Sequence, residues 1–268
     1  MMLAARVDNR KYFTTLVLAL IAVAWLALWL WGRSPYDRFL SHDELDAVSL
    51  DFSAGGLWLT FVFVAGWTLM TIAMMLPTSL PLITMFQRMV SRRDDRLALW
   101  LLLLAGYVVV WTLFGVGVHT ADRGLHAVVQ EFHWLKDRSW MIGALTLVGA
   151  GVYQFTPLKY MCLDKCRSPM TFITEHWHGK DERSSAFRLG ISHGIFCVGC
   201  CWSLMMLMFA VGVGSIGWML ALGVIMATEK NMPWGRRLSA PLGVFLVVAG
   251  VALLLMAAPE ACAHSVGC

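Results

Sequence analysis

The sequence predicts an all-α membrane protein, a polytopic bundle of about seven transmembrane helices. The 268-residue chain is 59% hydrophobic and only 14% charged, whereas a soluble domain carries about 25% charged residues. Its charged residues are confined to short stretches between long apolar runs, as in helical membrane proteins. The lysines and arginines follow this layout and form no basic patch interleaved with aromatics, so no nucleic-acid partner is expected.

Seven apolar segments account for most of the chain. A helix needs about 20 apolar residues to cross a bilayer. Two segments, 140–156 and 216–229, are short for this, and we expect them to extend into their flanks or to be sheltered by neighbouring helices. In chain order the predicted spans are 14–31, 57–76, 97–118, 140–156, 189–211, 216–229 and 239–257.

The distribution of positive charge predicts the orientation of these spans. If the N-terminus lies inside, 16 of the 21 lysines and arginines fall in the inner segments. Such an excess is typical of cytoplasmic segments, so we expect the N-terminus inside and the C-terminus outside, in a bacterial inner membrane. The first apolar run lacks a small-residue cleavage site and is interpreted as a retained signal anchor.

The stretch HGIFCVGCCWSLMMLMF, at 193–209, places four metal-ligating side chains in the fifth predicted span. At 100° per residue, His193, Cys197 and Cys200 fall within an arc of about 60°, and Cys201 lies beside it. The predicted orientation puts this stripe near the cytoplasmic face. Single buried cysteines usually only pack, but three within five residues beside a histidine favour a ligand role.

A second pair, Cys162 and Cys166, lies in TPLKYMCLDKCRSP, directly after the fourth predicted span. Pro157 and Pro169 bracket this stretch, which is therefore either a short helix or a shaped loop. In both cases the pair reaches the same membrane level as His193, and we expect the two sets of ligands to meet.

Two further segments end at this level. Met74 and Met75 carry thioether donors just before Pro77, which breaks or kinks the second span. Glu229 lies in the last turn of the sixth span, where the helix dipole disfavours a carboxylate. It therefore needs a partner, and Lys230 is the nearest in sequence.

These residue types indicate a soft transition metal. Cysteine and methionine prefer copper(I), and cysteine with histidine also suits zinc. We therefore expect copper first and zinc second. The predicted ligands are Cys162, Cys166, His193, Cys197, Cys200 and Cys201, with Met74, Met75 and Glu229 as accessory positions. For His193 itself, Cys197 or Glu229 is the expected partner, since polar groups inside membranes usually have one.

Two external features offer alternatives to this site. The tail CAHSVGC carries Cys262, His264 and Cys268, which either capture metal outside or form a Cys262–Cys268 disulfide. His119, His126 and His133 recur every seven residues. They fit an amphipathic surface helix, with a second external metal site as the alternative.

Four motifs together resemble an uncharacterised bacterial family of predicted metal-binding integral membrane proteins. They are AMMLPTSLPLI, YQFTPLKYMCLDKCRSP, GISHGIFCVGCCWSLMMLMFAVG and EKNMPWG. The resemblance covers about residues 57–256 and implies a metal-binding membrane protein. It does not extend to the first span, the acidic outer loop or the tail.

The sequence thus predicts three regions: a signal-anchor helix with an acidic outer loop at 1–56, a metal-binding helical domain at 57–258, and a Cys/His tail at 259–268. The expected function is metal transport, delivery or sensing, with membrane lipid and a membrane metalloenzyme or metallochaperone as partners. A thiol oxidoreductase or cofactor-dependent membrane enzyme is the alternative, and a structural or assembly subunit is a further one. An enzyme is the less favoured interpretation.

Overall fold

The computed structural model describes residues 2–33, 54–132, 140–177, 181–211 and 216–264. Almost all of these residues are helical, which confirms the predicted all-α class. Within these ranges the chain forms ten α-helices and one 3-10 helix. They are α1 (Met2–Trp31), α2 (Ala54–Thr78), α3 (Leu80–Val90), α4 (Arg96–Glu131), α5 (Trp140–Tyr153), α6 (Pro157–Arg167), α7 (Pro169–His176), α8 (Glu182–Val211), α9 (Ile216–Asn231), a 3-10 helix (Gly235–Leu238) and α10 (Ser239–His264).

Fewer helices meet the criteria for a membrane span than the seven predicted. By length and composition, four helices in the described ranges can cross a membrane: Thr60–Thr78, Arg96–Glu131, Glu182–Met208 and Gly235–Met256. The pair α5 and α6, bent by 64°, makes a fifth crossing if it counts as one span. The apolar part of α1, Thr15–Leu30, is shorter, as is the 16-residue α9. The seven-span layout therefore stays a prediction.

The helices pack around a central pair, α4 and α8. Helix α2 joins α4 on one side and carries α1, whereas α5 joins α8 on the other side and carries α10. Helix α9 contacts α2, α6 and α8. The cysteine-bearing helices α6 and α8 are therefore both neighbours of α9.

Glycines let α4 and α8 approach to backbone contact. A Cβ atom on Gly190 would lie 2.1 Å from the carbonyl oxygen of Leu103, and one on Gly106 would lie 2.3 Å from that of Phe187. No other residue fits at these distances, and small residues at helix contacts are a general device of membrane proteins. This contact fixes the position of α8 and its cysteines.

The expected break after the second predicted span is present, and it places polar groups beside α8. Helix α2 contains Pro77 and ends at Thr78. The carbonyl oxygen of Met75 accepts hydrogen bonds from Thr78 Oγ1 at 2.8 Å, Ser79 Oγ at 3.4 Å and Tyr107 Oη at 3.4 Å. Side-chain hydroxyls thus satisfy one of the carbonyls that the C-terminal end of a helix leaves without a backbone donor.

The stretch that carries Cys162 and Cys166 is a helix, which decides between the two interpretations left open by its prolines. Helix α6 begins at Pro157, and the Thr156 hydroxyl accepts a hydrogen bond from the backbone N–H of Lys159 at 3.3 Å. A threonine cap followed by proline is a common helix start. Because α5 ends at Tyr153, the chain bends between the two helices.

Candidate metal centre

The cysteine stripe of α8 faces the protein interior. His193, Cys197, Cys200 and Cys201 are each at most 4% exposed. All lie in one unbroken helix, as the sequence predicts. Lipid therefore does not contact these side chains, and their neighbours come from α2, α4, α6 and α9.

The structure brings the two cysteine motifs together. The sulfur atoms of Cys166 on α6 and Cys200 on α8 are 4.0 Å apart. Cys200 also lies within hydrogen-bond distance of its own helix, its thiol 3.1 Å from the carbonyl oxygen of Cys197. All five described cysteines are free thiols. The predicted meeting of the two motifs thus holds for this pair of sulfurs.

Cys162 occupies a neighbouring position, packed against the backbone of α8. Its sulfur lies 2.6 Å from the place where a Cβ on Gly199 would stand. The side chain is buried. Gly199 therefore makes the room in which Cys162 sits, one residue before Cys200.

A thioether from α2 completes the soft donors. The sulfur of Met75 is 3.7 Å from the sulfur of Cys201, whose thiol donates to the carbonyl oxygen of Cys197 at 2.9 Å. Met74 points elsewhere, with its side chain against Gly223 of α9. Of the two accessory methionines, only Met75 lies beside the cysteines. We call Met75, Cys166, Cys197, Cys200 and Cys201 the sulfur cluster.

Two sulfur pairs of this cluster have a spacing that one metal ion can span. A zinc–thiolate bond is about 2.3 Å long, so an ion between two sulfurs bridges at most about 4.6 Å. The pairs Cys166–Cys200 and Cys201–Met75, at 4.0 and 3.7 Å, lie within this limit. Among the described residues, no group of three or more His, Cys, Asp or Glu side chains is already arranged to hold an ion.

Cys197, the first cysteine of the stripe along the chain, contacts an amine and a phenol. The sulfur of Cys197 is 3.0 Å from Lys230 Nζ and 3.1 Å from Tyr107 Oη. The ammonium group of Lys230 also donates to Thr78 Oγ1 at 3.2 Å and lies 3.9 Å from the sulfur of Cys201. Lys230 therefore lies between two cysteines of the sulfur cluster.

The suggested pairing of Glu229 with Lys230 is wrong. Lys159 Nζ lies 2.8 and 3.0 Å from the two carboxylate oxygens of Glu229, and Ser239 Oγ donates to Oε1 at 2.7 Å. Lys159 also donates to Gln154. Consecutive residues on a helix point about 100° apart, so Glu229 and Lys230 face different neighbours. A role of Glu229 as an accessory ligand stays a prediction, with its carboxylate held by this network.

The expected partners of His193, Cys197 or Glu229, are also wrong. His193 Nε2 is 3.0 Å from Ser79 Oγ, and the imidazole stacks on Tyr107 with ring centroids 5.6 Å apart. Nδ1 is buried and has no hydrogen-bond partner among the residues that the structure describes. His193 thus faces the α2–α3 junction, and its ligand role stays a prediction.

An exposed ion pair ties α7 to the cysteine helix. Lys165 Nζ donates to Glu175 Oε2 at 2.5 Å. This hydrogen bond lowers the pKa of the Glu175 carboxyl below its usual range. Because both side chains are well exposed, the pair contributes little to stability, but it spans α6 and α7 next to Cys166.

The two external alternatives involve mostly residues outside the described ranges. His119 is buried and stacks on Phe63, with ring centroids 4.4 Å apart. The side chains of His126, His133, Cys262, His264 and Cys268 lie outside the described residues. Neither an external histidine site nor metal capture by the tail is tested.

Sequence reasoning missed four polar partners of the site: Ser79, Tyr107, Lys159 and Lys230. It treated Lys159 only as an inner positive charge and Lys230 as a candidate partner of Glu229, not of the cysteines. A signal was present in the sequence. Lys159 lies in the motif that carries Cys162 and Cys166, Lys230 lies in EKNMP, and both are close to apolar runs. Lysines placed this way are rare in membranes and tend to be functional.

Comparisons with known proteins identify the family. No curated protein and no solved structure matches the chain. One family model, PpoB2, described as a copper chaperone, matches residues 64–253. The match includes the whole sulfur cluster, Lys159 and Lys230, and it leaves out all of α1 and the Cys/His tail. The chain therefore belongs to the PpoB2 family, the family described as a copper chaperone.

Proposed function

We propose that the protein binds copper(I) as cargo at the sulfur cluster and delivers it to a partner metalloenzyme. One observation carries the proposal: separate helices bring soft sulfur donors together, with Cys166 on α6 4.0 Å from Cys200 on α8 and Met75 on α2 3.7 Å from Cys201. Thiolates and thioethers are the ligands that select copper(I). Cys162 and His193, beside the cluster, are secondary candidates.

Copper is favoured over zinc for two reasons. The family description names copper. In addition, the donors in the cluster include a methionine thioether, whereas zinc sites use cysteine, histidine and carboxylate ligands. The buried carboxylate of Glu229 is engaged by Lys159 and Ser239. The donor set therefore fits a soft monovalent ion.

The proposed location is a bacterial inner membrane, with the cluster near the cytoplasmic face. The support is the positive-inside distribution of lysine and arginine together with the four helices able to cross a membrane. Cys166 is the partly exposed cysteine of the cluster, whereas Cys197, Cys200 and Cys201 are buried. Copper would then enter and leave by exchange of thiol ligands at Cys166.

Copper titration of the purified protein tests the proposal. The protein, purified in detergent under reducing conditions, is titrated with Cu(I) against a colorimetric chelator, and X-ray absorption reports the ligand atoms. We expect tight binding with sulfur as the main ligand, and loss of binding in a Cys197→Ser/Cys200→Ser/Cys201→Ser variant.

The tail provides the matched control. A Cys262→Ser/Cys268→Ser variant removes two cysteines outside the cluster and should bind copper as the unmodified protein does. If the tail variant loses copper and the triple variant keeps it, the cargo site lies in the tail. A first shell of oxygen and nitrogen atoms would contradict the proposal altogether.

Transfer to a second protein separates delivery from transport and sensing. The copper-loaded protein is mixed with a copper-free copper enzyme, and the activity of that enzyme is followed over time. Delivery predicts activation that is faster than with the same copper held by the chelator. Copper accumulation in vesicles that contain the protein, without transfer to the enzyme, would instead indicate a transporter.

A further inference from the structure

The ammonium group of Lys230 lies among the sulfurs of the sulfur cluster, and within the described part of the chain no carboxylate contacts it. Its contacts there are Cys197 Sγ at 3.0 Å, Thr78 Oγ1 at 3.2 Å and Cys201 Sγ at 3.9 Å. The Thr78 hydroxyl can accept because its own proton is given to the Met75 carbonyl, 2.8 Å away. The groups around this cation are thus sulfurs and a hydroxyl.

The surrounding structure holds Lys230 in this direction. The neighbouring Glu229 is bound by Lys159 and Ser239 through its side chain, and its carbonyl oxygen accepts from Arg167. A Cβ on Gly235 would lie 2.1 Å from the Thr228 carbonyl oxygen, so the chain after α9 also packs closely on this turn. The end of α9 is therefore fixed, and the Lys230 side chain extends from it into the cluster.

A fixed cation at this place matters because the cluster is buried. Copper(I) bound by two thiolates of the cluster, as between Cys166 and Cys200, forms a complex with a net charge of −1, and uncompensated charge is costly away from water. The ammonium of Lys230 makes the sum zero. A divalent ion on the same two thiolates is already neutral, and Lys230 then adds an uncompensated positive charge.

We infer that Lys230 is a specificity-determining residue of the cargo site, which favours a monovalent over a divalent ion through its charge. This inference rests on the proposed function and goes beyond it, since it assigns ion selectivity to a residue that is not a ligand. Lys230 acts through the charge of the thiolate complex. Its neutral replacement should therefore lower the affinity for the monovalent ion without lowering the affinity for the divalent ion.

The test compares Cu(I) and Zn(II) affinities in three variants. Lys230→Leu removes the charge, keeps much of the volume and adds no metal donor, Lys230→Gln removes the charge and keeps a donor for Thr78, and Lys230→Arg keeps the charge. We expect Cu(I) affinity to fall about 10- to 100-fold in both neutral variants, the range typical for partners of metal ligands. Zn(II) affinity should stay or rise, and Lys230→Arg should retain the order of preference.

Measuring Cu(I) and Zn(II) affinities side by side separates a role in ion selectivity from a structural role. Equal losses for Cu(I) and Zn(II) in a neutral variant that elutes as folded protein would overturn the inference, because they indicate a structural role. Unchanged Cu(I) affinity in both neutral variants would overturn it as well. If instead the unmodified protein binds no Cu(I), it is the proposed function that fails, and the two failures are distinguishable.

Discussion

The ammonium group of Lys159 lies 2.8 and 3.0 Å from the two carboxylate oxygens of Glu229, and both side chains are almost fully buried. The two residues are 70 positions apart. The pair joins α6, which carries Cys162 and Cys166, to α9, which carries Lys230. The pair therefore sets the position of α6 relative to α9, two of the helices that surround the sulfur cluster.

Breaking this buried pair should destabilise the protein strongly. Removing one partner leaves the other charge buried and unpaired, which costs about 3–5 kcal/mol. We expect this loss for Glu229→Gln, measured as the free energy of unfolding in detergent micelles. The control is Asp164→Asn, which breaks the exposed Arg236–Asp164 pair and should cost less than about 1 kcal/mol. Similar losses in both variants would contradict the prediction.

A methyl group at Gly190 should separate α4 from α8. The added Cβ would lie 2.1 Å from the carbonyl oxygen of Leu103, and overpacking of this kind costs about 1–3 kcal/mol. We expect Gly190→Ala to lower the melting temperature and to weaken copper binding. A Cβ added at Gly117 on α4 would meet open space among the described residues, so Gly117→Ala should be neutral or slightly stabilising. A Gly190→Ala protein as stable as the control would refute the close contact.

Adjacent methionines give a matched test of the thioether ligand. Met75 contacts Cys201, whereas Met74 packs against Gly223. Replacement by leucine nearly conserves volume and is well tolerated in a core. We expect Met75→Leu to weaken Cu(I) binding by about tenfold, or about 1.4 kcal/mol, and Met74→Leu to leave it unchanged. Chelator competition measures both, and equal affinities would remove Met75 from the site.

The cysteines should differ in their rates of alkylation. Cys166 is partly exposed, whereas Cys197, Cys200 and Cys201 are buried. Since a thiol must be accessible to react, we expect a maleimide to modify Cys166 first and bound Cu(I) to slow that reaction. Mass spectrometry of the peptides gives the order. Faster modification of Cys197 than of Cys166 would place the entrance to the site elsewhere.

The sequence was sufficient for the helical segments and for the meeting of the cysteine motifs. The long apolar runs predict helices because lipid requires internally satisfied backbone groups. Helical spacing then places His193, Cys197 and Cys200 on one face, and Pro77 predicts a break close to the observed end of α2 at Thr78. The expected common level of Cys162, Cys166 and His193 predicts that the two motifs meet, whereas the specific contact of Cys166 with Cys200, further along the same stripe, comes from the structure.

The partners of individual polar groups were not predictable in the same way. They depend on how far each helix is rotated about its axis and on which helix lies beside it. The short α9 has polar groups on two sides, so Glu229 reaches Lys159 while Lys230 reaches Cys197. His193 likewise reaches Ser79 across α2 and α8, a contact between residues 114 positions apart.

The order of these residues along the chain sets the order in which the sulfur cluster and its cation are completed during synthesis. Met75 and Cys201 are 126 residues apart, and Thr78 and Lys230 are 152 apart. Because a chain folds as it emerges from its N-terminal end, the sulfur donors of α2, α6 and α8 are all made before α9. A nascent chain that stops short of Lys230 already has every thiol of the cluster and lacks its cation. The ribosome therefore completes the ligands before the group proposed to discriminate between metals.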